Sequence, residues 1–419
     1  MYKKINKCRI CGNRNLVPLV DLGIFSLTGI FPGSKDEDIG AGPLVFTKCV
    51  NDNNKNNCGL VQLLHNFQLN KLYGDNYGYR SGLNRSMVEH LYNKVKKIKK
   101  ITDLKKGDIV IDIGSNDGTL LKAFPKKLDL VLIGIDPTGE KFKDFYPDNV
   151  IFITDFFPSK KINRFTGKKK AKIITSIAMF YDLEEPMSFV QSIYDALDDK
   201  GIWVFEQSYL PSMLATNSYD TICHEHLEYY TMKQIKYMMD KVGFKIIDME
   251  TNKVNGGSFS VTVAKRNSLY KEKTNIVDLM LKEEIRNGFD TLVPFKKFSK
   301  NIKKHKEDLL KFLEQIKKKK KLVLGYGAST KGNVILQYCG ISRSDLPYIA
   351  EVNEDKFNKY TPGTFIPIIS ENQARSMKPD YFMVLPWHFK NNIIQREEKY
   401  LDDGGKLFFP LPKLEVYKM

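Results

Sequence analysis

Asp108-Ile-Val-Ile-Asp112-Ile-Gly114-Ser-Asn116-Asp117-Gly118-Thr-Leu-Leu121 is the run on which the reading of this chain turns. Its first half is β-branched and almost wholly apolar, without the alternation of a half-exposed strand, which predicts a parallel strand buried on both faces. The strand should carry an acidic residue, Asp112, at its end and turn through Gly114 and Gly118 into a helix. Glycines at such a turn let the backbone approach a ligand closely. The spacing does not fit the dinucleotide fingerprint, because the run reads Gly-Ser-Asn-Asp-Gly and lacks the third glycine. An open α/β sheet with a nucleotide-type site at the carboxyl end of a strand is the expectation that remains.

Downstream, residues 130–135 form a second predicted strand. It ends at Asp136, twenty-two residues after Gly114, where a carboxylate accepts hydrogen bonds from both hydroxyls of a ribose. A third strand ends at Asp155. Residues 171–176 and 201–206 continue the alternating strand and helix series. Residues 243–248 and 258–264, joined through Asn255-Gly256-Gly257, read as an antiparallel edge. The turn from Asp112 to Gly118 resembles the first motif of S-adenosylmethionine-dependent methyltransferases. That resemblance implies Asp112, Gly114, Asn116, Gly118 and Asp136 as cofactor-binding residues, with Asp155 against the adenine amino group.

The chain has 419 residues, enough for two or three domains with cores of their own, and 42% of them are hydrophobic, which excludes a disordered protein. A net charge of +17 favours anionic partners, but much of the excess is Lys in runs such as 96–100 and 317–321, the pattern of solvated helix faces. We read it as a bulk bias with a local phosphate site. The amino terminus lacks the apolar core of a signal peptide and no run of eighteen apolar residues occurs, so the expected location is cytoplasmic, with no membrane, no nucleic acid and no obligate protein partner expected.

In a reducing compartment clustered cysteines point to metal rather than disulfides. Cys8 and Cys11 sit in Cys-Arg-Ile-Cys-Gly, a knuckle that brings two thiolates together, and Cys49 and Cys58 supply a second pair for tetrahedral zinc. Eight residues separate that second pair, an Asn-rich insert that can loop out. A closed four-sulfur site is structural, since no coordination position stays open for water. After it comes a Gly- and Tyr-rich loop with Tyr77 and Tyr79, then a predicted helix over 85–100 with Met87, Leu91, Val95 and Ile98 at helical spacing.

Residues 220–230 read Asp-Thr-Ile-Cys-His-Glu-His-Leu-Glu-Tyr-Tyr, so two of the six histidines, His224 and His226, flank Glu225. That concentration of proton-transfer groups marks a candidate active site. Residues 268–320 hold two Lys-rich helical patterns, and a second strand–turn–helix unit follows at Gly325-Tyr-Gly-Ala-Ser-Thr-Lys331-Gly-Asn333. Free amides at that helix start, with Lys331, suit a phosphate. Strands ending near Glu351 and near Trp387-His388-Phe389 place further polar groups where open α/β sheets bind ligands.

Taken together, these motifs resemble the sugar C-methyltransferase family, which methylates a carbon of nucleotide-linked 4-keto-6-deoxysugars and is similar to this chain along nearly its whole length. The resemblance implies an α/β, three-part chain. A small N-terminal zinc-binding domain spans 1–68 and a Tyr-rich loop and helical connector 69–100. A central Rossmann-like class I S-adenosylmethionine methyltransferase domain spans 101–266, and a helical bridge with a C-terminal Rossmann-like nucleotide-sugar domain 267–419. It implies S-adenosylmethionine and structural zinc as cofactors and a nucleotide-diphosphate keto-deoxysugar as the partner. It assigns His226 as general base, Glu225 as the residue tuning it, and His224 or a tyrosine of the Tyr77–Tyr79 loop as stabiliser of the enolate oxygen. Lys331, Asn333, Asn255, Glu351 and His388 become substrate-binding. Cys223 stands where the family usually has Tyr. The competing expectations are an O- or N-methyltransferase of a nucleotide sugar, and a non-catalytic nucleotide- or RNA-binding module.

Overall fold

The structure, a computed structural model, describes residues 2–50, 57–73, 78–167 and 169–419. Tyr77 lies outside the described residues. The apolar run of the opening motif becomes the strand Ile109–Ile113, every residue of it buried. It is central in a seven-stranded sheet ordered Phe244–Asn252, Ser258–Lys265, Leu197–Ser208, Ala171–Ile177, Ile109–Ile113, Val131–Ile135, Val150–Ile153. The last five of these run parallel, while Ser258–Lys265 pairs antiparallel on both its sides, the edge expected from the Gly-Gly turn.

The helix Arg85–Ile101 covers one face with Met87, Leu91, Val95 and Ile98, the stripe that its spacing predicts. A six-stranded sheet, Ile368–Ser370, Ile349–Glu351, Val323–Tyr326, Tyr381–Val384, Lys406–Phe409 and Glu415–Tyr417, forms the carboxy-terminal part behind the helices Thr274–Arg286 and Val293–Lys318. Among the described residues no helix is long and apolar enough to cross a membrane.

A third sheet ties the chain together. Its strands Leu16–Ser26, Ala41–Cys49 and Val61–Leu63 come from the amino-terminal part, but its edge is Glu228–Tyr229, which directly follows the His-Glu-His run. One apolar core continues from Phe46 and Leu63 through Tyr219 and Ile222 to Phe298, Leu324 and Val334. The segment with the histidines is thus clamped between the cysteine-bearing sheet and the carboxy-terminal part.

Candidate active site

The four cysteines of the first sixty residues converge. A zinc ion about 2.3 Å from each of four thiolates sets them about 3.8 Å apart. Here the Cys8 and Cys58 Sγ atoms are 3.5 Å apart, those of Cys11 and Cys49 3.6 Å, and all four lie within 4.8 Å of one another. Gly12 has φ +74°, which lets its N–H return to the Cys8 carbonyl at 3.0 Å and close the knuckle. The donor set fits a structural zinc ion. Arg9, inside the knuckle, is buried and donates to the carbonyls of Leu63, at 2.7 Å, and of His65. Its Nε stands 3.7 Å from the buried carboxylate of Glu228, so the knuckle grips the strand that leads out of the histidine run.

A single cleft of about 400 Å³ opens at the carboxyl ends of the parallel strands. On one side stand Asp112, Gly114, Asn116, Asp136 and Asp155. Gly114 adopts φ +71°, and a Cβ there would meet the Met179 side chain at 3.0 Å. Asp136 accepts the N–H of Asn116 at 2.8 Å through one carboxylate oxygen and that of Thr138 at 2.8 Å through the other, which fixes its direction while it faces the cleft. Burial pushes the Asp112 carboxyl up to about 7, against the pull of the Thr175 hydroxyl at 2.6 Å. The Tyr-rich loop is tied to this turn: Asn116 accepts from the Ser81 N–H at 2.9 Å and donates to the Tyr79 carbonyl at 3.1 Å, while Asp117 accepts from the Gly82 N–H. Tyr79, half-exposed, lines the mouth.

His226 also lines the cleft and has its ring edge-on to Tyr181, centroids 4.5 Å apart. Its Nδ1–H donates to the Thr221 carbonyl at 2.9 Å, so the lone pair of the neutral imidazole sits on Nε2, which has no partner among the described residues. Burial, and then the Lys331 charge, hold its pKa down to about 3. Glu225 lines the same wall but bonds to the Thr28 hydroxyl, and burial raises its pKa. A Cβ on Gly29 would lie 2.0 Å from the Glu225 carboxylate, so glycine is required for that approach.

From the carboxy-terminal part Lys331 reaches in at the start of the helix Thr330–Cys339, donating to the Asn255 carbonyl at 2.9 Å. Asn255 and His388 line the cleft beside it, and the His388 Nδ1 is buried without a partner among the described residues.

Sequence models cover these parts in order. A zinc-binding domain matches residues 8–73, a methyltransferase domain 86–249 and a C-methyltransferase C-terminal domain 253–412. The chain is 27% identical to C-methyltransferase NovU of Streptomyces niveus over 99% of its own length and 98% of that protein's. Along its whole length the chain is thus similar to a C-methyltransferase. Similar solved structures are the complex of the Haloferax volcanii Trm112 methyltransferase activator with a methyltransferase, at 12% identity over 44% of this chain and 94% of that chain, TM-score 0.36, and YcgJ of Bacillus subtilis, at 13% identity over 43% and 100%, TM-score 0.35.

The protein is an S-adenosylmethionine-dependent methyltransferase, and the turn of Gly114 with the oriented carboxylate of Asp136 fits that cofactor. Not every expected site residue faces the cleft. His224 is fully buried and turned into the amino-terminal sheet: Nδ1 takes the Thr28 N–H at 3.4 Å and Nε2–H donates to the Gly42 carbonyl at 3.2 Å, leaving no nitrogen for an enolate oxygen. Asn333 is fully buried: its Nδ2 donates to the Thr28 carbonyl at 2.8 Å, while its Oδ1 has no hydrogen-bond partner among the described residues. Glu351 accepts the backbone N–H of Ala328 at 2.8 Å and of Asn353 at 2.9 Å, and so shapes a loop instead of meeting a ligand. Gly118, at φ +71°, makes room for the Tyr146 ring. No hydrogen bond joins Glu225 to His226; the Thr221 carbonyl does the orienting.

The sequence reading passed over Glu206, which lines the cleft and holds His90 at 2.6 Å together with Lys94 and Asn252. Those partners hold its carboxyl down to about 2 despite burial. Its signal was available: His90 and Lys94 are spaced i,i+4 beside the apolar stripe of their helix, and Glu206 ends a strand.

Proposed function

We propose that the enzyme methylates a carbon next to the ketone of a nucleotide-linked 4-keto-6-deoxysugar. The observation that carries this reading is the unpartnered Nε2 of a neutral imidazole, His226, facing the cleft. A ketone acidifies the neighbouring C–H because the charge left behind spreads onto oxygen, and Nε2 takes that proton. Bound S-adenosylmethionine supplies an electrophilic methyl group to the resulting carbanion. Asp136 holds the ribose hydroxyls of the cofactor. Lys331, whose charge His226 and His388 both feel, faces the acceptor's anionic portion with the free amides of its helix terminus. Asn255 and His388 shape the wall around it, and Tyr79 covers the mouth. Incubation with methyl-labelled cofactor and a panel of 4-keto-6-deoxyhexose nucleotides tests this directly. Label that survives acid hydrolysis as a carbon branch supports it, and label on oxygen or nitrogen rejects it.

Two results follow from the assigned roles. Asp136→Ala should weaken S-adenosylhomocysteine binding about tenfold or more by calorimetry, since hydrogen bonds to a charged acceptor are each worth about 1.5–3 kcal/mol. Unchanged affinity would remove Asp136 from the ribose. The second concerns pH. A base held at about 3 stays unprotonated through mild acid, so solvent deuterium exchange at the acceptor carbon, followed without methyl donor so that the Asp112 carboxyl near 7 at the cofactor end does not enter, should remain nearly flat from pH 8 to 5. An ordinary imidazole, titrating near 6.5, would cost about thirtyfold at pH 5.

A further inference from the structure

Gln207 is the last but one residue of the strand Leu197–Ser208, lines the cleft, and is only 1% exposed. Neither its Oε1 nor its Nε2 has a hydrogen-bond partner among the described residues. Buried amides are nearly always paired, so one left beside a cleft with neither its donor nor its acceptor satisfied calls for an explanation.

Its direction follows from the strand. Side chains alternate across a sheet. Val204 belongs to the core under the helix Arg85–Ile101, and Glu206 on the same face meets His90 of that helix. Trp203 and Phe205 pack on the other face, with ring centroids 5.3 and 5.4 Å from Phe180. Gln207 continues their row, toward the segment whose Tyr181 ring supports His226. In the antiparallel register Gln207 stands opposite Phe259 and Ser208 opposite Ser258, just past the Asn255 turn that accepts from Lys331. The strand that precedes Asp136 lies three places away in the sheet, about 14 Å at the usual spacing of about 4.8 Å per strand. Gln207 therefore belongs to the wall shared by His226, Asn255 and Lys331, and not to the ribose end.

We propose that Gln207 is a specificity-determining contact for the methyl acceptor, its Nε2 donating to a carbonyl or hydroxyl oxygen and its Oε1 accepting from a hydroxyl of an oxygen-rich ring. The proposal rests on the reading of the acceptor as a keto-hexose. A neutral amide offers one hydrogen-bonding group of each kind side by side, which matches adjacent oxygen functions of a sugar. A phosphate needs donors only, and Lys331 already serves that chemistry nearby. Because the site holds no internal partner for the amide, an acceptor lacking the contacted oxygen leaves it buried and unpaired, and is rejected more strongly than a mere loss of contact would cause.

The test compares wild type with Gln207→Leu and Gln207→Glu, using a 4-keto-6-deoxyhexose nucleotide as acceptor and S-adenosylhomocysteine as the cofactor probe. Gln207→Leu keeps the volume but removes both hydrogen-bonding groups. It should lower kcat/KM for the acceptor about tenfold to hundredfold while cofactor-product affinity stays within about twofold. Gln207→Glu, which keeps an acceptor oxygen and replaces the amide donor with a second oxygen, should show a smaller loss of the same kind, and it decides the matter by itself if the leucine variant does not fold. Acceptor kcat/KM within about twofold of wild type overturns the proposal, as does an equal loss of S-adenosylhomocysteine affinity. A wild-type enzyme that methylates no such nucleotide fails at an earlier step, and that outcome removes the acceptor reading together with this one.

Discussion

His226→Ala should lower kcat for methyl transfer by about a hundredfold to ten-thousandfold, the usual contribution of a positioned general base. Binding of S-adenosylhomocysteine should stay within about twofold, because the residues proposed for the cofactor, Asp136 and the turn of Gly114, make no hydrogen bond to His226. The separating measurement is exchange of solvent deuterium into the acceptor carbon next to the ketone, followed without methyl donor. Wild type should exchange, and the alanine variant should not. The imidazole suits this task in three respects. Its Nδ1–H is fixed on the Thr221 carbonyl, its ring leans on Tyr181, and burial keeps it neutral, so the pair of electrons on Nε2 is available at every physiological pH. Exchange at the wild-type rate in the variant would move the base elsewhere in the cleft.

Cys58→Ser should remove the metal and a large part of the stability of the amino-terminal part. Apparent zinc-binding free energies of four-ligand structural sites are about 10–16 kcal/mol and appear as folding free energy. Cys58 is buried, its Sγ 3.5 Å from that of Cys8, and its carbonyl also accepts from Gln234 at 2.8 Å. Loss of the ion should reach the catalytic wall by a short route. The knuckle's Arg9 faces Glu228, and Val61–Leu63 pairs with Glu228–Tyr229, two residues beyond His226. Elemental analysis should give less than one zinc per chain for the variant, with a lower calorimetric midpoint and reduced methyl transfer. A protein that lost its zinc yet melted and turned over like wild type would show that the metal does not hold the histidine segment.

The opening motif was legible because its information is local. A doubly buried parallel strand has a continuous apolar run, and a backbone turning at φ +71° under a ligand selects glycine at Gly114. The cysteines were legible for a similar reason, since one ion can be ringed by four thiolates only if the chain brings two pairs together. The His-Glu-His run marked the right segment. It did not tell which ring would face the cleft, for a segment without regular structure has no periodicity from which a direction can be read. His224 and His226 end on opposite sides, one held by Thr28 and Gly42, the other by Thr221. The same holds for Asn333, whose amide nitrogen is taken by the Thr28 carbonyl, and for Glu351, whose carboxylate accepts the Ala328 N–H.

Sequence alone thus determined the strands of the central sheet, the glycine turn, the metal ligands and the order of the parts, all set by spacing along the chain or by the chemistry of a single residue type. Tertiary structure alone decided that His224 is turned away from the cleft while the Thr221 carbonyl leaves the His226 Nε2 free, that the Lys331 charge bears on that ring, and that Gln207 is left buried without a partner among the described residues. Those outcomes depend on which carbonyls and charges the packing of distant segments brings within about 3 Å of a side chain, and hydrogen bonds fall away too steeply with distance and angle for local pattern to foretell them.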